Sequence, residues 1–112
     1  MTTELHTLID EVKSYSNQEA IDNAVAFLEK YGERFEGFER EIGVVSGDSG
    51  ILVQISGRVD VDINFFSEGS IFIGFYDLLG YGLDGDREIS KEDVSIDQMD
   101  DEVEEILASL RD

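Results

Sequence analysis

The sequence predicts an α+β domain with two N-terminal helices, an antiparallel meander of about four strands and a C-terminal acidic amphipathic helix. Three observations carry this reading. Apolar residues recur at helical spacing near both ends, every odd position from 51 to 65 is apolar or glycine, and clusters of Gly, Ser and Asp punctuate the middle. The 112 residues suit one domain over 1–112, and 41% hydrophobic residues are too many for a disordered chain.

Leu5, Leu8, Ile9 and Val12 form the apolar stripe of a first helix over residues 3 to 15, with Thr2 or Thr3 as N-cap. Ser16 followed by Glu19 fits a capping box opening a second helix. Its buried face would be Ala20, Ala24, Phe27, Leu28 and Tyr31, with Gly32 as the stop and a loop from Glu33 to Gly37. The period then changes from 3.6 to 2. Ile51, Val53, Ile55, Val59, Val61, Ile63 and Phe65 alternate with Gln54, Ser56, Arg58, Asp60, Asp62 and Asn64. A three-residue loop at Ser56, Gly57 and Arg58 keeps that parity across a hairpin, pairing Ile55 with Val59 and Val53 with Val61; one long strand bent at Gly57 is the alternative. Flanking strands are expected at 38–45 and 70–76, joined by the turn-forming runs 47–50 and 67–69. Residues 77–93 read as irregular. A final helix with Ser95 as N-cap and Gln98 at the capping-box position buries Ile96, Met99, Val103, Ile106, Leu107 and Leu110. The helices are expected on one sheet face.

The formal net charge is −19, from 27 acidic and 8 basic residues. It excludes direct nucleic-acid binding through a phosphate-neutralising surface and disfavours anionic membranes. Residues 77–112 hold 13 of the acids against 3 bases. On the last helix Asp97, Asp100, Asp101, Glu104 and Glu105 repel one another at i,i+3 and i,i+4, so their accumulation asks for a reason. Three compete: a solvated solubility face, adaptation to a high-salt cytoplasm, and a surface that binds a strongly basic partner. Three Lys suit the second, but 11 Ile against 4 Ala and 3 Thr do not.

Residues 82–93 locally resemble the calcium loop of an EF-hand. Asp84, Asp86 and Ser90 take ligand positions 3, 5 and 9, Ile89 the hydrophobic position 8 and Asp93 position 12. Gly82 supplies no carboxylate at position 1, however, and Arg87 replaces the turn glycine at position 6. The alternative is an acidic turn, and Asp84, Asp86 and Asp93 are the candidate ligands of a weak calcium site; no other cofactor is expected. His6 reads as a helix-surface residue, since without Cys or a second His it cannot build the common zinc sites. Ser46, Ser49 and Ser56 form no nucleophile elbow, and 47–50 lacks the lysine of a phosphate loop.

Asp60 and Asp62 share a strand face with Asn64, and Glu39 and Glu41 lie within reach of the same sheet. Phe65 and Phe66 must point to opposite faces. If both faces carry aromatics, either the helices split across them or one face is a partner site, with Phe66, Phe72, Tyr76 and Tyr81 as an aromatic patch rimmed by acid. The expected function is that of a non-catalytic acidic protein neutralising a basic partner, a nuclease or other nucleic-acid-binding protein; the chain would be a monomer or homodimer. A divalent-metal-binding domain or a halophile-adapted acidic domain is the alternative. With no basic leader after Met1 and no apolar run long enough for a membrane span, the cytoplasm is the expected location.

Overall fold

Two hydrophobic periods divide the chain, and a computed structural model of the protein turns each into its own layer. It describes residues 3–45, 50–77, 87–89, 96 and 99–111. Helix α1 (Thr3–Lys13) and helix α2 (Gln18–Tyr31) are followed by a 3₁₀ turn (Gly32–Phe35). Strands β1 (Glu39–Val45), β2 (Gly50–Ser56), β3 (Asp60–Phe66), β4 (Ile71–Tyr76) and β5 (Arg87–Ile89) form one antiparallel sheet in the order β1-β2-β3-β4-β5, and helix α3 (Asp100–Arg111) closes the fold. The architecture is the α+β arrangement expected, with one strand more in the stretch that composition marked as irregular. Three residues of β5 pair Ile89 with Ile71, Glu88 with Phe72 and Arg87 with Ile73. So short a run has no readable period of its own.

The apolar odd positions of β2 and β3 behave as their alternation demands. Ile51, Val53, Ile55, Val61, Ile63 and Phe65 are buried, as are Ile71, Ile73 and Phe75 on β4. All three helices pack on this face, α1 against β1, α2 against β2 and β3, and α3 against β3. Phe27 of α2 stands at the centre, its ring 5.7 Å from Phe65, 5.5 Å from Tyr31 and 6.1 Å from Phe35.

Several local expectations shift by a residue or more because side chains found better partners. Asn17, not Ser16, caps α2: its side-chain oxygen accepts the Ala20 N–H at 3.3 Å. Gly32 does not stop α2 through a left-handed residue; it is helical (φ −57°) and the chain tightens into the 3₁₀ turn, which buries Phe35 in what was expected to be loop. A Cβ on Gly32 would lie 2.5 Å from Leu5 Cδ1, so a larger residue there would have to push the buried Leu5 side chain of α1 aside. The left-handed residue is Gly37, at φ 93°.

The β2–β3 hairpin has a three-residue loop, but it consists of Gly57, Arg58 and Val59. Ser56 pairs with Asp60, Ile55 with Val61 and Val53 with Ile63, a shift of two from the expected register that preserves parity and therefore every face. The end of α3 sets this position. Arg58 N–H donates to the Leu110 carbonyl at 2.9 Å, and a Cβ on Gly57 would lie 2.8 Å from that same oxygen. At its other end α3 begins at Asp100, later than the Ser95 cap implied; Ser95 lies outside the described residues. The Met99 N–H donates to the Tyr31 hydroxyl at 3.1 Å, in a buried setting. Tyr31→Phe leaves that N–H without its partner and is expected to cost about 1–2 kcal/mol, read from the urea midpoint at unchanged slope.

A charged tie fastens β1 to the helices. Arg40 lies on the helix side of β1 with its side chain almost fully enclosed, donating from Nη2 to Glu4 Oε1 at 2.7 Å and from Nη1 to the Gly32 carbonyl at 3.2 Å. A cation at the end of α2 also answers the negative end of that helix dipole.

Candidate partner-binding surface

The even positions of β2, β3 and β4, with the odd positions of β1, form a second face on which no described helix packs. Residues opposite each other across antiparallel strands share a face, so the register reads directly as rows. One row runs Glu39, Ser56, Asp60, Tyr76; the next runs Glu41, Gln54, Asp62, Gly74; the third runs Gly43, Leu52, Asn64, Phe72; and Phe66 lies beyond, opposite Gly50. The face therefore has an acidic end and an apolar corner. Glu39 and Glu41 are exposed, while Asp60, Asp62, Leu52, Phe66, Phe72 and Tyr76 are partly so. The acidic rows contain no Lys or Arg.

Phe65 and Phe66 do point to opposite faces, Phe65 fully into the core and Phe66 to the open side. The helices are not split between the faces, so the aromatic residues Phe66, Phe72 and Tyr76 share a side with Asp60 and Asp62. Tyr76 folds back along its strand over Gly74, where an added Cβ would come within 2.8 Å of its ring and hydroxyl. Leu52 belongs to the same corner. Its signal was present as an apolar residue at an even position of the alternation, and sequence reasoning passed over it.

Gln54 Nε2 donates to Asp62 Oδ1 at 2.9 Å. Burial pushes the Asp62 carboxyl above its ordinary pKa; the Gln54 hydrogen bond opposes this and the neighbouring Asp60 charge adds to it. A carboxyl raised in the folded state costs stability when ionised, and that cost disappears as pH falls through the folded pKa to below the unfolded one. Asp62→Asn, which keeps an oxygen for Gln54, is thus expected to melt higher than the parent at pH 7. The advantage should vanish below about pH 4, where the parent carboxyl is protonated in both states.

The acids of α3 lie elsewhere. Asp100, Asp101, Glu104 and Glu105 are exposed on the outer side of a helix that packs against the opposite face of the sheet, away from Asp60 and Asp62. Glu104 also has a cationic neighbour, Arg34 of the 3₁₀ turn, in an ion pair across the helix layer. Asp97 and Tyr81 lie outside the described residues, as do the calcium-loop candidates Asp84, Asp86 and Asp93. Among the described residues no three Asp, Glu, His or Cys side chains come together as metal ligands. No protein family, curated protein or solved structure matches this chain. The surface must be read from its own chemistry.

His6 is exposed on α1, as expected of a helix-surface residue. A groove of about 510 Å³ lies over α2 and the α1–α2 turn, lined by Lys13, Tyr15, Asp22, Val25 and Glu29 among others, and it includes none of the residues singled out from sequence. Among the described residues, no helix is long and apolar enough to cross a membrane.

Proposed function

We propose that this chain is a non-catalytic acidic binding protein that neutralises a basic, nucleic-acid-handling protein, in the manner of an immunity protein to a nuclease toxin or a phage-type nucleic-acid mimic. The observation that supports it best is the open sheet face, where Glu39, Glu41, Asp60 and Asp62 stand in two adjacent rows beside Leu52, Phe66 and Phe72. Rows are about 7 Å apart along a strand, so four charges fall within a length over which a duplex, at one charge per about 1.7 Å, presents about four. A basic groove built for phosphates would meet a similar charge density. The apolar corner would supply the desolvated anchor that charge by itself does not. The acids of α3, on the other side of the sheet, add to the long-range field that steers a cationic partner.

The test is inhibition of purified basic nucleases together with binding measured from about 0.05 to 0.5 M NaCl. Affinity is expected to fall steeply with salt, and the combined Glu39→Gln, Glu41→Gln, Asp60→Asn, Asp62→Asn variant should bind at least about 100-fold more weakly, as losing several interfacial charges implies. The matching change of Asp100, Asp101 and Glu105 should mainly slow association. Salt-independent binding, or none to any basic nucleic-acid-handling protein, would overturn the reading.

A further inference from the structure

Strand β1 is an edge of the sheet, and no described element pairs with its outer side. Its seven residues include neither proline nor lysine, two of the devices that blunt natural edges. Charge is confined to Glu39, Arg40 and Glu41, leaving Ile42, Gly43, Val44 and Val45 as an uncharged half.

The two sides of this edge differ. Glu39 and Glu41 oppose Ser56 and Gln54 on the open face, whereas Arg40, Ile42 and Val44 oppose Ile55, Val53 and Ile51 on the helix side. Arg40 is withdrawn beneath Glu4, so Ile42 and Val44 are what the helix side offers a neighbour. Val44 is 50% exposed, the one large hydrophobic residue so exposed among those described, although Ile51 opposite it is fully buried. A strand laid along β1 would cover it.

We propose that β1 receives an extended segment of the basic partner as a sixth strand, one in which Lys or Arg alternates with β-branched apolar residues. Alternate side chains of such a segment fall on opposite faces, placing the cations beside Glu39 and Glu41 and the apolar residues beside Ile42 and Val44. Main-chain hydrogen bonds along the edge supply affinity, and the pattern supplies specificity. A second copy of this chain could use the same edge, but it would bring together two chains of net charge −19, so charge selects a cationic occupant. The inference rests on the reading of this protein as a binder of a basic partner.

The probe is a labelled peptide of about eight residues with Lys and Val alternating, set against a peptide of the same composition with all Lys preceding all Val. The alternating peptide is expected to bind the full chain at least about tenfold more tightly, a difference of about 1.4 kcal/mol, and to slow amide exchange along β1. Val44→Asp should weaken it about tenfold although the variant is more negative, whereas attraction by charge alone would tighten it. Equal, salt-sensitive binding of both peptides would overturn the edge and leave the acidic reading standing. Tighter binding by Val44→Asp, or no binding of the alternating peptide, would also overturn it. So would a concentration-dependent dimer abolished by Val44→Asp, which would assign the edge to a second copy.

Discussion

Phe27→Ala is expected to lower the free energy of unfolding by about 4 kcal/mol, the largest effect of any single truncation considered for this fold. Phe27 is fully buried, and its ring meets Tyr31 from its own helix, Phe35 from the 3₁₀ turn and Phe65 from β3. Removing it loses the transfer free energy of the ring and leaves a cavity whose wall includes the relatively rigid strand β3. It also loses three aromatic contacts, each worth about 0.5–1.5 kcal/mol beyond the area they cover. Domains of this size hold about 5–15 kcal/mol in all, so a substantial part of the protein should be unfolded at 37 °C if the parent lies at the lower end. Urea unfolding checks it. Phe27→Leu should cost less than half as much, and a loss under about 1 kcal/mol for alanine would place the ring outside the centre of the core.

Gly50→Ala is the second large effect, expected at about 3 kcal/mol from a single added methyl. At the first residue of β2, a Cβ would collide with the Phe65 carbonyl oxygen and lie 2.9 Å from the Phe66 Cα. Both are backbone atoms of the paired strand, so relief requires β2 and β3 to separate where Gly50 opposes Phe66. Gly43→Ala is the control. It adds the same methyl to the neighbouring strand, where it would meet only Leu52 Cδ2 at 3.9 Å, and the loss of backbone freedom in the unfolded chain should make it neutral or stabilising by up to about 1 kcal/mol. Thermal melts of the pair separate a steric cause from a general intolerance of alanine in the sheet. Gly50→Ala should melt about 10 °C or more below Gly43→Ala.

The candidate surface was legible in part. That Asp60, Asp62 and Phe66 share a face follows from strand parity, since residues two or four apart in a strand point the same way. That Tyr76 joins them needed the β3–β4 register, in which it lies opposite Asp60. Whether this face is covered depends on where three helices pack, and an apolar stripe records that a helix must be buried without recording against which side. Hence Phe65 and Phe66 posed the question, and among the described residues α1, α2 and α3 all pack on the Phe65 side. The same packing divided the acids, because α3 turns Asp100, Asp101 and Glu105 away from a sheet whose other face carries Asp60 and Asp62.

The sequence by itself determined the kinds of element, their order and the inward side of each, because periods of 3.6 and 2 are properties of the local backbone. It also determined the net charge of −19. Only the tertiary structure decided the loop at Gly57–Val59, the start of α3, the 3₁₀ burial of Phe35 and the extra strand β5. Each depends on a partner outside the local run of residues: Leu110 for the hairpin, Tyr31 for Met99, Phe27 for Phe35, and pairing with Ile71 for Ile89. A local period does not record such partners, so a hydrogen bond or a buried ring from outside the local run decides these positions.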